Sequence, residues 1–244
     1  MSKFISYITA GDPSLEKTKE FVEALSEHSD LIEIGIPFSD PVAEGEVIQA
    51  ASLRALQNGV TPAKVFDMAD TLDPAIRRKI VLLTYANTAF TYGYEAFFRR
   101  CRSCGLYGVI IPDLPYEERG EVAPFAGQNG IHLITLIAPT SADRVRTLAK
   151  DASGFIYLVS SLGVTGIRSE LSVDLSGIVA QIREVTDTPV MVGFGIATPE
   201  QVNAVNAVAD GAIVGSAFVK LIAEQGAAAA PHLSKLIKEL TFHV

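Results

Sequence analysis

The 244-residue chain has few cysteines, fewer basic than acidic residues and no long apolar run, and each shortage excludes a class of protein. Two cysteines, Cys101 and Cys104, cannot build the disulfide framework of a small secreted fold. Their C-x-x-C spacing has no second pair to complete a metal site, and the four histidines are scattered at positions 28, 132, 232 and 243. The two thiols follow Phe97 and Phe98 in a helical pattern, so they read as packing, and no metal site is expected. With 28 acidic against 20 basic residues, the net charge of −8 offers no electrostatic reason to approach nucleic acid or an anionic membrane. No apolar run nears the ~20 residues that span a bilayer. The opening MSKFISYITAGDPS reaches Gly11-Asp12-Pro13 too soon for a secretory signal. A reducing cytoplasm is the simplest location. GxGxxG is also missing: Gly193-Phe194-Gly195 lacks the third glycine and follows a late strand, which argues against a dinucleotide site.

What is present is a chain of 48% hydrophobic residues, enough for a large core. Short apolar strands alternate with helical patterns: Phe4–Thr9, a strand from Leu31, Lys79–Tyr85, Val109–Ile111, His132–Ile137, Phe155–Val159, Pro189–Val192 and Gly211–Val214. Helical spacing or end signals fill the intervals. Asp12 with Pro13 can open the first helix, Thr61-Pro62 another, and Ser141 a third. A helix is expected from Pro115 through about Gln128, another from Leu171 to Val185, and Thr198-Pro199-Glu200-Gln201 is a capping box. Strands apolar on both faces fit a parallel sheet covered by helices. Eight such units predict an α/β fold, a closed (β/α)8 barrel forming one domain over residues 1–244.

Chemistry in such barrels sits at the C-terminal ends of the strands. The most informative stretch is Asp30–Ala50, DLIEIGIPFSDPVAEGEVIQA. Ile32, Ile34 and Ile36 face one way on its strand, and Glu33 faces the other. An ionised carboxylate on an apolar strand costs several kcal/mol, so Glu33 is either paired in a core or poised for proton transfer with a raised pKa. The loop beyond carries Asp40, Glu44 and Glu46. Other strand ends offer Thr9, Thr84-Tyr85-Ala86-Asn87, Asp113 and Tyr157. The last loops carry Gly163-Val164-Thr165-Gly166, Gly193-Phe194-Gly195 and Gly215-Ser216. Gly215-Ser216 opens a helix whose N–H groups would face an anion, so it and Gly195 are expected to bind phosphate. The residues describe a phosphorylated small substrate beneath a carboxylate acid or base.

The collinear segments Tyr7-Ile8-Thr9-Ala10-Gly11-Asp12-Pro13, Glu33-Ile34-Gly35-Ile36-Pro37-Phe38-Ser39-Asp40-Pro41, Ile48-Gln49, Thr84-Tyr85-Ala86-Asn87, Pro112-Asp113-Leu114-Pro115, Gly163-Val164-Thr165-Gly166, Gly193-Phe194-Gly195 and Gly215-Ser216-Ala217 resemble the tryptophan synthase alpha subunit family. The resemblance implies retro-aldol cleavage of indole-3-glycerol phosphate to indole and glyceraldehyde 3-phosphate. It implies Glu33 as principal acid/base, Glu44 as the carboxylate that receives the indole N–H, and Tyr157 beside them. Gly166, Gly195, Gly215 and Ser216 match phosphate-binding positions. Tyr7, Leu83, Tyr85 and Phe194 match the substrate pocket, Leu83 being equally readable as plain core, and Thr165 matches a closing loop. The family holds no cofactor in this subunit. It pairs with a pyridoxal-phosphate-dependent beta subunit in an alpha2beta2 heterotetramer, which the loops around Phe38–Pro41 and Asn87 would face. A non-catalytic or weakly catalytic subunit that mainly activates a beta subunit, and a stand-alone indole-releasing lyase, are the alternatives.

The chain departs from the family in two ways. Glutamate stands at Glu44 where aspartate is usual, adding a methylene, and Glu46 adds a charge that reads as solvated surface. The chain also begins close to its first strand, as short archaeal-type members do.

Overall fold

The computed structural model describes residues 2–160 and 175–241, apart from the side chains of Ala142 and Asp143. Among them are nine strands: β1 (Lys3–Thr9), β2 (Leu31–Gly35), β3 (Ile80–Leu83), β4 (Gly108–Ile110), β5 (His132–Leu133), β6 (Thr135–Ile137), β7 (Ile156–Val159), β8 (Val190–Gly193) and β9 (Gly211–Val214). They form one sheet in the order β5-β4-β3-β2-β1-β9-β8-β7-β6, every pairing parallel. β5 and β6 are two pieces of one stave, interrupted at Ile134. The lower piece pairs with β4 and the upper with β7, so the ends of the sheet meet in this stave. The expected fifth strand therefore closes an eight-stave barrel, and the sixth to eighth expected strands are β7, β8 and β9.

Side-chain parity divides the core in two. Phe4, Ile8, Ile32, Ile34, Ile80, Leu82, Ile156, Leu158, Val190 and Val192 point outward and pack under the helices. Ile5, Tyr7, Val81, Leu83, Ile110, Ile134, Tyr157, Met191 and Ile213 point into the barrel. Successive strand residues alternate faces, so every stave is apolar on both sides, as a covered parallel sheet requires. Register sets Tyr7 beside Glu33 and Tyr157 beside Met191. Glu33 thus lies on the inner face, opposite in parity to Ile32 and Ile34.

Several local signals act as read. Thr61 caps the helix Pro62–Asp70, and Thr198 with Gln201 forms the capping box of Pro199–Asn206. Cys101 and Cys104 are buried in the helix Tyr94–Cys104, and burial pushes the Cys104 thiol up to about 12.

Others are corrected. Ser14, not Asp12, caps the first helix, Leu15–Ser26. Asp12 instead receives two hydrogen bonds from the Arg54 guanidinium, at 2.8 and 2.7 Å, a charged fork that outcompetes a neutral amide for a buried carboxylate. Ser141 does not cap a helix; it lies inside a 3-10 turn, Pro139–Arg144, ahead of the helix Val145–Lys150. The single helix expected after Pro115 is a 3-10 stretch, Tyr116–Glu121, followed by Ala123–Gln128, with Pro124 at the start of the second. A short helix, Ala86–Tyr92, follows β3. Of the helix expected over Leu171–Val185, the described part is Leu175–Arg183.

Candidate active site

A cavity opens at the C-terminal mouth of the barrel. Its wall combines Glu33, Glu44, Tyr7, Leu83, Tyr157, Phe194, Gly195, Gly215 and Ser216 with Ile48, Pro112, Leu136 and Ile213. Nine of the twelve candidate residues named from the sequence therefore meet in one place. Tyr85 is close by but does not line it, and Thr165 and Gly166 lie outside the described residues.

Glu33 is 1% exposed, and its Oε2 has no hydrogen-bond partner. Burial, followed by repulsion from Glu44, raises its pKa to about 8. A carboxyl group with that pKa carries its proton at neutral pH and can both give and retake it. The strand that carries it is paired on both sides, which fixes its position.

Glu44 is held differently. It is 8% exposed and sits on the loop between β2 and the helix Glu46–Gln57. Tyr85 Oη donates to Glu44 Oε2 and accepts the Val42 and Ala43 N–H groups at 2.9 and 3.1 Å. The Tyr85 ring stacks on Phe38 with centroids 4.7 Å apart. Gln49 Nε2 reaches back to the Glu44 carbonyl at 2.7 Å. Burial raises the Glu44 pKa, and the Tyr85 bond acts against it. Tyr85 is thus a buried anchor for the loop, behind the cavity wall rather than on it. The extra methylene of Glu44 does not keep its carboxyl out of the cavity. Glu46 is exposed in the first turn of its helix, where a negative charge suits the helix dipole.

Two tyrosines occupy notches left by glycines. A Cβ at Gly35 would collide with Tyr7 Oη, and one at Gly193 would lie 2.5 Å from Tyr157 Oη. Glycine at both positions lets the phenol rings lie flat against neighbouring staves. Both phenols are raised well above the ordinary tyrosine value, chiefly by burial, so they stay neutral. They can donate hydrogen bonds but not carry charge. Gly215 and Ser216, at the start of the helix Ser216–Gln225, and Gly195, just past β8, also line the cavity. First-turn N–H groups of a helix lack intrahelical partners, and the dipole favours an anion there.

Leu136 and Ile213 are not singled out by the sequence, and Ile48 and Pro112 lie in the matching segments without being assigned to the pocket. Strand parity was the available signal for Leu136 and Ile213, since it puts them on the inner face with Ile134 and Met191. Ser160, whose Oγ donates to the Phe194 carbonyl, is not singled out either. Among the described residues no group of three or more histidine, cysteine, aspartate or glutamate side chains could hold a metal ion.

Fold and cavity together make a (β/α)8 barrel with two buried carboxyl groups and a glycine-bearing helix start at its C-terminal mouth. The family model described as "Tryptophan synthase alpha chain" matches residues 1–242, and the chain belongs to that family. It is 48% identical to the tryptophan synthase alpha chain of Lacticaseibacillus casei over 97% of this chain and 90% of that one. For the Lactiplantibacillus plantarum relative the figures are 51%, 90% and 84%. Among solved structures, the tryptophan synthase alpha subunit of Pyrococcus furiosus superposes with a TM-score of 0.86 at 35% identity, each chain fully covered.

Proposed function

We propose that the chain cleaves indole-3-glycerol phosphate into indole and glyceraldehyde 3-phosphate as the alpha subunit of tryptophan synthase, a lyase of L-tryptophan biosynthesis. One observation carries this reading. A protonated, strand-held carboxyl and a hydrogen-bonded carboxyl on a loop line one cavity together with a glycine-preceded helix start.

The substrate lies with its phosphate on the N–H groups of Gly195, Gly215 and Ser216, and its indole ring between Phe194, Leu83 and Tyr7. Glu33 gives its proton to indole C3, which turns the ring into a leaving group. As the C–C bond breaks, its electron pair restores the aromatic indole. The glycerol hydroxyl loses its proton to Glu33, and its O–H pair becomes the aldehyde C=O. Glu44 accepts the indole N–H and stabilises the positive charge that develops on the ring. Tyr157, neutral and beside Phe194 with ring centroids 5.6 Å apart, closes the wall. Thr165 and Gly166 complete the loop and phosphate side by family resemblance alone.

The reaction needs no cofactor in this chain. Pyridoxal phosphate belongs to the beta subunit, the expected partner in an alpha2beta2 heterotetramer. Val42 and Phe90, 72% and 67% exposed, support a docking face there, since they flank the loops around Pro41 and Asn87. Among the described residues no helix is long and apolar enough to cross a membrane, and the reading places the enzyme in the cytoplasm.

Indole release from indole-3-glycerol phosphate, measured with and without a beta subunit, tests the proposal. A rise with the partner is expected. Absence of indole in both conditions refutes catalysis, and full activity alone marks a stand-alone lyase.

A further inference from the structure

Among the described residues, Phe194 is the one non-glycine residue with a positive φ, +74°. A bulky aromatic residue in the left-handed region is strained and persists only where its surroundings enforce it. Gly195 follows at φ +81°, so the two residues form a left-handed corner after β8. That corner turns the Phe194 ring against Tyr157 and brings Gly195 to the cavity's anion end. The enforcing group is on the neighbouring stave. Ser160, buried just past β7, donates its N–H to the Gly193 carbonyl at 2.9 Å and its Oγ–H to the Phe194 carbonyl. It therefore clips two successive carbonyls at the point where the backbone leaves its ordinary conformation.

We propose that Ser160 is a positioning residue for substrate: by pinning the strained Phe194-Gly195 corner, it sets the aromatic wall and the anion corner in one register. It does not line the cavity and acts only through these two residues. The inference rests on the indole-3-glycerol phosphate reading. Wall and corner contact the substrate equally before and during bond breaking, so their misplacement weakens binding and leaves the chemical step intact.

Loss of one buried hydrogen bond predicts that Ser160→Ala raises KM about tenfold while kcat stays within about threefold. Ser160→Thr, which keeps the hydroxyl, returns KM to within about threefold of wild type. In a Phe194→Gly background, where the left-handed corner is unstrained, Ser160→Ala has little further effect on KM. Calorimetric affinity for an uncleavable indole bearing a phosphorylated alkyl chain follows the same pattern and does not depend on turnover. If Ser160→Ala does not fold, Ser160→Cys keeps the volume, weakens the donor and shifts affinity in the same direction. Unchanged KM and affinity in the folded variant overturn the inference, as does an equal effect with and without Phe194, which marks a merely structural serine. A wild-type protein that neither binds this probe nor releases indole refutes the functional reading instead.

Discussion

Strand β2 and the loop that follows it each deliver a glutamate to the same cavity, and they do so by opposite means. Glu33 is placed by register alone: its backbone is locked between β1 and β3, and one oxygen of its buried carboxyl has no hydrogen-bond partner. Glu44 has no sheet to hold it. Its loop is tied by a phenol that bonds its carboxyl and two backbone N–H groups, and by Gln49. The strand supplies a dry, isolated acid. The loop supplies a polar site in which a carboxylate can be ionised. Burial raises the pKa of both groups, and only at Glu44 does a side-chain hydrogen bond oppose the rise.

The largest expected effect comes from removing the isolated acid. Glu33→Gln should lower kcat by about a thousandfold or more while the affinity for substrate stays within about threefold, because an amide fills the space but moves no proton. Single-turnover kinetics and calorimetry check both halves; a variant with normal turnover would mean that another group carries the proton. In the wild type, kcat/KM should fall as pH rises through about 8, the pKa of Glu33, because the proton to be donated is lost.

The same substitution separates function from stability. A carboxyl whose pKa is about 8 in the folded state, against an ordinary 4.5, contributes stability that is fully present below about 4.5. That stability is lost as pH rises through about 8, because the folded protein holds a proton that the unfolded chain has released. The loss is on the order of 4 kcal/mol. Glu33→Gln does not titrate, so its Tm should gain on the wild type between about pH 5 and about pH 9, by about 5 °C or more. Parallel melting curves with no such divergence would remove the raised pKa from the account.

Effects on the loop side should be smaller. Glu44→Ala is expected to reduce kcat/KM at least about tenfold, whereas Glu44→Asp, shorter by a methylene, should stay within about tenfold of wild type. A silent alanine variant would mean that the indole N–H has another partner. Tyr85→Phe keeps the stack on Phe38 but strips Glu44 of its donor and two N–H groups of their acceptor. A loss of about threefold to tenfold in kcat/KM is expected, with Glu44 becoming harder to ionise, so that activity rises at a higher pH than in the wild type. If the profile stays in place, Tyr85 supports the loop without tuning the carboxyl.

Much of this was legible in the sequence because it depends on local patterns. The alternation of Ile32, Glu33 and Ile34 places the carboxylate on the inner face whatever the neighbours are. Pro62 after Thr61, and the Thr198–Gln201 box, specify helix starts from within four residues. Gly215 followed by a helical run announces a helix start at the barrel mouth. Errors arose where a residue chose a distant partner. Asp12 was read as a cap, and Arg54 claims it. Ser141 was read as a cap, and the chain there turns too tightly. Tyr85 was read as pocket wall, but its hydroxyl partners lie about forty positions earlier in the chain, so its service to the loop has no local signature.

The chain by itself determined the eight-stave barrel, the inward face of Glu33 and the glycine-bearing mouth, because period-two strands, helix starts and turn residues act over a few positions. Tertiary structure alone decided how Glu44 reaches the cavity, why Gly35 and Gly193 must lack a side chain, and what holds Phe194 in a left-handed conformation. In each of those cases the deciding contact is a hydrogen bond or close approach between staves. Such contacts exist only once the sheet has curved round and brought distant segments together.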